Sequence, residues 1–156
     1  MPPVQIVVAE DHAEFRELLS KQLGLEPDLK VIGEARDGFE AIAAVARLAP
    51  DVLTLDLDLP GLSGLEVLEV VRWCSPNTKV IILSGHDEEE TVLEAIRLGA
   101  RGYIVKAEGT NPVKAVRAVQ RGEVWARRRV LARVLEELIG VADLTLPATG
   151  GEPAPA

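Results

Sequence analysis

The chain has 156 residues, of which 47% are hydrophobic and only 3% aromatic, with a formal net charge of −8. That length suits one domain with an appendage, and the apolar content is ample for a core. The acidic balance argues against wholesale nucleic-acid binding. Cys74 is the only cysteine, so an intramolecular disulfide is excluded, and no apolar run reaches the roughly 18 residues of a membrane span. With no signal-peptide pattern at the N-terminus, a reducing cytoplasm is the expected compartment.

Strand-like and helix-like segments alternate along the chain. Val4–Ala9 reads as a strand, and residues 13–23 follow with Phe15, Leu18, Leu19 and Leu23 at helical spacing. Leu29–Ala35 is a second strand. The second helix is predicted over 39–48, with Ile42, Val45 and Ala46 facing inward. Val52–Leu55 is an apolar run that ends on Asp56 and breaks at Pro60-Gly61, the pattern of a strand buried on both faces. Leu65, Val67, Leu68 and Val71 mark a third helix, ending near Cys74, a small hydrophobe expected to be buried. A fourth strand spans 79–83. Acidic residues 87–90 open a fourth helix that Gly99 closes. Residues 103–105 form a short fifth strand, and Asn111 caps a fifth helix with Pro112 at its first position. Five strands alternating with five helices predict an α/β fold with a doubly wound, five-stranded parallel sheet. Further on, Val130, Leu131, Val134, Leu135, Leu138 and Ile139 recur at helical spacing, predicting an amphipathic C-terminal helix.

The carboxyl edge of such a sheet is where open α/β folds bind ligands. Asp56 sits there after strand three, and Glu10 and Asp11 sit there after strand one. A carboxylate beside a dry core is costly unless it is paired or holds a metal. These hard oxygen ligands match the number Mg²⁺ usually takes, with waters completing an octahedron. Ser84 follows strand four and Lys106 follows strand five. A hydroxyl and an ammonium at neighbouring strand ends can hold phosphoryl oxygens while a carboxylate attacks phosphorus. Asp11 is also a candidate N-cap for the first helix.

Glu10–Asp11, Asp56 within Asp-Leu-Asp-Leu-Pro-Gly-Leu-Ser-Gly, Ser84, Tyr103 and Lys106 together resemble the receiver domain of two-component response regulators. The resemblance covers roughly residues 4 to 122. Gly-Tyr-Ile-Val-Lys at 102–106 and Val-Gln-Arg-Gly-Glu-Val-Trp at 119–125 look like the NarL/FixJ (LuxR-type) branch, whose receivers usually precede a helix-turn-helix DNA-binding domain.

The resemblance implies a flavodoxin-like (CheY-like) sheet and a phosphoacceptor rather than a free-standing enzyme. Asp56 would take a phosphoryl group from a sensor histidine kinase. Mg²⁺ would be held by Asp11, Asp56 and the backbone carbonyl of Asp58, with Glu10 acting through water. Ser84 and Lys106 would bind the phosphoryl group. Ser84 and Tyr103 would form a switch that reshapes the face of helix four, strand five and helix five. Asp58 and His86 stand where the family tunes phosphoryl lifetime. His86 is an uncommon residue there, and its simpler reading is a surface histidine. Lys106 precedes Ala107, where many receivers carry a proline on a cis peptide bond, so the geometry of this bond is left open.

The expected organisation is a receiver over 1–124, a linker helix over 125–141 and a flexible Pro/Gly-rich tail over 142–156. The DNA-binding domain is expected to be absent from this chain, so any DNA contact would come through it alone. Homodimerisation on phosphorylation is the expected partner response, with no membrane contact. Lys114, Arg117 and Arg121 on one side of helix five would suit cross-subunit salt bridges to the acidic start of helix four. The alternative output is a stand-alone receiver acting through protein contacts. A haloacid-dehalogenase-type phosphatase fits less well, because its Asp-x-Asp motif follows the first strand rather than the third. A P-loop NTPase lacks its glycine-rich lysine motif here.

Overall fold

Apolar runs become strands and amphipathic stretches become helices, in the order expected. The computed structural model describes residues 2–109 and 111–145. The strands are β1 (Val4–Ala9), β2 (Leu29–Ala35), β3 (Val52–Leu55), β4 (Lys79–Ser84) and β5 (Gly102–Val105). The helices are α1 (Ala13–Gly24), α2 (Gly38–Leu48), α3 (Gly64–Cys74), α4 (Glu89–Arg97), α5 (Pro112–Gln120) and α6 (Arg128–Thr145). All strand pairings are parallel, in the order β2-β1-β3-β4-β5. Strand order therefore reverses at β1, and the crevice outside the carboxyl ends of β1 and β3 is the topological switch point.

Local chemistry sets where the helices begin. Asp37 Oδ1 accepts the Glu40 N–H at 2.8 Å and opens α2. Ser63 and Glu66 form a reciprocal capping box at α3, each side chain accepting the other's backbone N–H. Asn111 Oδ1 accepts from the Val113 N–H at 2.9 Å, with Pro112 in the first turn of α5. Asp11 does not cap α1; the cap position falls on His12, which makes no side-chain capping bond.

One face of the sheet presents Ile6, Val8, Val52, Ile81, Leu83 and Ile104 to Leu19, Leu23, Val113, Val116 and Val119. Each such side chain contributes about 1.5–3 kcal/mol by leaving water. Thr54 lies among them on β3, and its buried Oγ1 has no hydrogen-bond partner. At the edge of β5 the chain returns after α5: Trp125 donates to the Arg101 carbonyl, and its own carbonyl accepts the Tyr103 N–H, both at 2.8 Å.

The loop after β3 is packed too closely to admit a side chain on α3. A Cβ on Gly64 would lie 2.5 Å from the Asp56 carbonyl oxygen and 2.6 Å from Leu57 Cα. Gly64 also donates its N–H to the Leu57 carbonyl at 2.9 Å. This close approach clamps the backbone on either side of Asp56.

The structure corrects the expected burial of Ala46 and Cys74 and decides that of Leu18. Leu18 is exposed, because α1 buries Leu19 and Leu23 instead. Ala46 is exposed, and Ala41, Ala44 and Val45 form the buried stripe of α2. Cys74 is exposed at the last turn of α3, where Ser75 takes the inward place through a 2.7 Å hydrogen bond with Thr78. The peptide bond from Lys106 to Ala107 is trans.

Among the described residues, those up to Ala126 form one compact unit and those from Arg127 on form another. In the second unit α6 runs to Thr145, beyond the limit at 141 expected for the linker helix. Of the expected tail over 142–156, residues 146–156 lie outside the described residues. No helix among the described residues is long and apolar enough to cross a membrane.

Two substitutions test this packing by urea unfolding. Gly64→Ala should cost about 1–3 kcal/mol, because the backbone around Asp56 must move to admit the methyl group. Thr54→Val should stabilise the fold by about 1 kcal/mol, since it removes a buried hydroxyl without a partner and keeps the shape. A neutral Gly64→Ala or a destabilised Thr54→Val would contradict these contacts.

Candidate functional site

Four strand ends deliver the candidate residues to one edge. The ladder between β1 and β3 continues one step past the strands, where the Asp56 N–H donates to the Ala9 carbonyl at 3.1 Å. The Glu10 N–H donates to the Ala35 carbonyl at 2.9 Å. Backbone pairing thus fixes where both carboxylates leave the sheet. Glu10 is 1% exposed and Asp56 4%.

Lys106 makes this burial possible. Its Nζ lies 2.8 Å from Glu10 Oε1 and 3.2 Å from Asp56 Oδ2. Two buried carboxylates thus share one ammonium, and the remaining oxygens accept backbone N–H groups. Asp56 Oδ1 accepts from Asp58 N–H at 3.0 Å, and Glu10 Oε2 from His12 N–H at 3.1 Å. The Phe15 ring supports the cation from the other side, with its centroid 4.5 Å from Nζ.

Burial pushes the Glu10 carboxyl above its ordinary range, and the Asp56 charge adds to this; the Lys106 hydrogen bond and the His12 amide pull it back. Burial alone would lower the Lys106 pKa. The Glu10 hydrogen bond and the charges of Asp56 and Glu10 outweigh it and hold the ammonium above its ordinary value. The two directions are compatible, because a cation between two carboxylates keeps its proton while a carboxyl beside another acid holds one more tightly.

Glu10, Asp11, His12 and Asp56 each bring a potential ligand atom within 4.8 Å of the others. The three carboxylates are hard oxygen donors at one sheet edge, and that set fits a magnesium ion. Both Glu10 oxygens are already engaged, whereas Asp11 is more open, with a side chain 34% exposed.

Ser84, Tyr103 and Asp58 converge on His86 rather than on the acid cluster. Ser84, fully buried, accepts the His86 N–H on its Oγ at 3.0 Å. Tyr103, 5% exposed, donates its hydroxyl to the His86 carbonyl at 2.9 Å. His86 Nε2 lies 3.0 Å from Asp58 Oδ2. One histidine therefore joins the hydroxyl, the aromatic and the β3–α3 loop. The Asp58 hydrogen bond, with the Asp58 charge behind it, raises the His86 pKa above the ordinary imidazole value, and Glu88 adds to this.

Sequence reasoning missed three participants. Arg16 donates to the Glu10 carbonyl at 2.8 Å and pairs with Glu34, pinning the end of β1. His12 borders the acids, its Nδ1 3.3 Å from Glu10 and 3.6 Å from Asp11. Phe15 counted only as an apolar helix position. An arginine beside the inward face of α1 was the one available signal, and it is weak without coordinates.

Arg117 of α5 and Arg121 just beyond its end have partners within the chain. Arg117 pairs with Glu26 and Asp28, each at 2.7 Å, and Arg121 with Glu123 at 2.8 Å. Cross-subunit salt bridges from these two arginines would first have to displace those contacts.

The response regulator receiver domain family matches residues 6–117. Transcriptional regulatory protein DegU of Brevibacillus brevis is 32% identical over 135 residues, covering 86% of this chain and 57% of DegU. Oxygen regulatory protein NreC of Staphylococcus carnosus is 37% identical over 138 residues, covering 87% of this chain and 64% of NreC. The chain thus spans less than two thirds of either relative. Among solved structures, the signal receiver domain of NarL from Mycobacterium tuberculosis superposes with a TM-score of 0.75 at 37% identity, covering 79% of this chain and all of that one.

The His86–Asp58 pair gives a signed pH dependence. A raised folded-state pKa means the pair stabilises fully below the unfolded value and is lost as pH rises through the folded one. Proton NMR of the His86 ring should show its midpoint fall toward the ordinary imidazole value in Asp58→Asn. The urea midpoint of that variant should drop relative to wild type at about pH 5 but not at about pH 8. An unmoved midpoint would refute the pairing.

Proposed function

This chain belongs to the response regulator receiver family, and from that premise we propose that Asp56 is its phosphoacceptor, charged by a sensor histidine kinase in the cytoplasm. The observation that carries the reading is the buried Asp56 carboxylate held against Lys106 at the switch point of the sheet. An Asp56 oxygen forms the new P–O bond as the donor's P–N bond breaks and its imidazole leaves. Asp11, Asp56 and the Asp58 carbonyl would hold Mg²⁺, with Glu10 acting through water; when bound, the ion supplies charge neutralisation on the phosphoryl oxygens.

The remaining work falls to this chain's own groups. Lys106 already bridges Glu10 and Asp56, so its ammonium stands where added anionic oxygens need a counter-charge. Ser84 Oγ accepts from His86, which leaves its own hydrogen for a phosphoryl oxygen. Drawing Ser84 toward that oxygen pulls on the His86 backbone, and Tyr103 is anchored to the same residue. The charge change at Asp56 thereby reaches β5 and the face it shares with α4 and α5, and we assign homodimerisation to that switch.

A groove of about 430 Å³ beside Lys106, of mixed polar and apolar lining that includes Gln22 and Asn111, supports kinase docking. Phe15, Leu18, Leu19, Ile104 and Pro112 line it. The exposed Leu18 is then available to a partner rather than misplaced. Control of transcription is the output that DegU's name supports, and a helix-turn-helix domain outside this chain would carry it.

The direct test is intact mass after incubation with acetyl phosphate. Wild type with Mg²⁺ should gain one phosphoryl group per chain, and Asp56→Asn or omission of the ion should abolish the gain. Lys106→Ala should slow it by about 10²-fold or more, the usual cost of one electrostatic group at a reacting centre. An equal gain in Asp56→Asn would place the phosphoryl group elsewhere.

A further inference from the structure

Arg16 stands behind the acid cluster and holds its backbone. Its side chain is only 13% exposed, so it is fixed by protein contacts rather than free in water. Nη1 donates to the Glu10 carbonyl at 2.8 Å, and Nε donates to Glu34 Oε1 at 3.3 Å. Ser20 Oγ fixes Glu34 in turn, donating to its other oxygen at 2.8 Å. One planar guanidinium on α1 thus ties the end of β1 to β2.

The Glu10 carbonyl needs such a donor. Glu10 is 1% exposed, and an unpaired carbonyl at that depth is costly. Its N–H still reaches β2, donating to the Ala35 carbonyl at 2.9 Å. In a parallel ladder the matching donor for its carbonyl would be the Asp37 N–H. β2 ends at Ala35, however, and Asp37 is already the N-cap of α2. Arg16 supplies the donor that the strand no longer offers.

The consequence falls on Asp11. A peptide unit is planar, so holding the Glu10 carbonyl also holds the plane from which Asp11 departs. Among the described residues Asp11 makes no side-chain hydrogen bond, and its ion-pair contact is His12 Nδ1 at 3.6 Å. Its direction is therefore set through its backbone. Glu34 already balances the Arg16 charge, so Arg16 contributes orientation more than field. We propose that Arg16 is a positioning residue that acts through the Glu10–Asp11 peptide to aim Asp11 at a divalent cation. This rests on the reading of Asp11 as a Mg²⁺ ligand given above.

The test reads Mg²⁺ affinity apart from stability. Urea midpoints of the whole chain are taken at rising Mg²⁺. Binding to the folded chain raises the midpoint by mass action, and the concentration at which the rise begins reports the Kd. A change in stability alone displaces every midpoint and leaves that concentration where it was. Arg16→Ala should raise it about 10-fold, the low end of what partners behind metal ligands usually contribute. The Mg²⁺ concentration that half-saturates the acetyl phosphate mass gain should rise with it. Arg16→Lys keeps the charge but not the fork, and should recover only part of the affinity. An onset unmoved in Arg16→Ala overturns the assignment. Full recovery in Arg16→Lys makes the effect one of charge and overturns it equally, and this variant decides alone if Arg16→Ala does not fold. A wild-type chain without any Mg²⁺ response overturns the metal reading and this proposal with it. Absence of the mass gain with the Arg16 effect intact counts against the Asp56 reading alone.

Discussion

The ammonium of Lys106 between Glu10 and Asp56 is the interaction on which the site depends. Carboxylates that are 1% and 4% exposed have lost nearly all contact with water, and a single shared cation replaces it. Burial of the Glu10 carboxylate is disfavoured on its own, and the Lys106 ammonium is the charge that opposes that cost. The three groups come from β1, β3 and β5, so the constellation exists only when the parallel sheet is complete. Folding and site assembly are in this sense one event.

The sheet does more than gather these residues. Parallel pairing carries the β1–β3 ladder past Leu55 to the Asp56 N–H, and the Gly64 contact holds the same backbone from the side of α3. Asp56 is thereby fixed at its own backbone while its neighbours stand on loops. Asp58 and His86 belong to two such loops and pair with each other at the surface. Rigid acceptor and adjustable surroundings suit a group whose charge changes while its position must not.

Much of this was legible from sequence because it is written in strand ends. An apolar run that stops on an acid fixes both the strand and the place of the acid, so Asp56, Glu10, Asp11, Ser84 and Lys106 could be named together. What was not legible depends on which of two adjacent helical stripes turns inward. Leu18 and Leu19 both fit the period of α1, and only the sheet chooses Leu19. The same ambiguity misplaced Ala46, and at Cys74 the helix ends before its stripe is used. His86 was named from its position beside the site, but its contacts lay beyond sequence reasoning for another reason. Its backbone serves Ser84 and Tyr103 while its ring serves Asp58, and contacts across four elements leave no local pattern.

Clustered acids also explain why such a site can act as a switch. Glu10, Asp11 and Asp56 repel one another within 4.8 Å, and one lysine offsets only part of that repulsion. A divalent cation held there would be favoured for the reason that the acids are disfavoured together, and its binding would stabilise the folded chain by mass action. A phosphoryl group on Asp56, as proposed, would rearrange the same balance, adding anionic oxygens that compete with Glu10 for Lys106 and call on the Ser84 hydroxyl. Because Ser84 shares His86 with Tyr103, the electrostatic change cannot stay local.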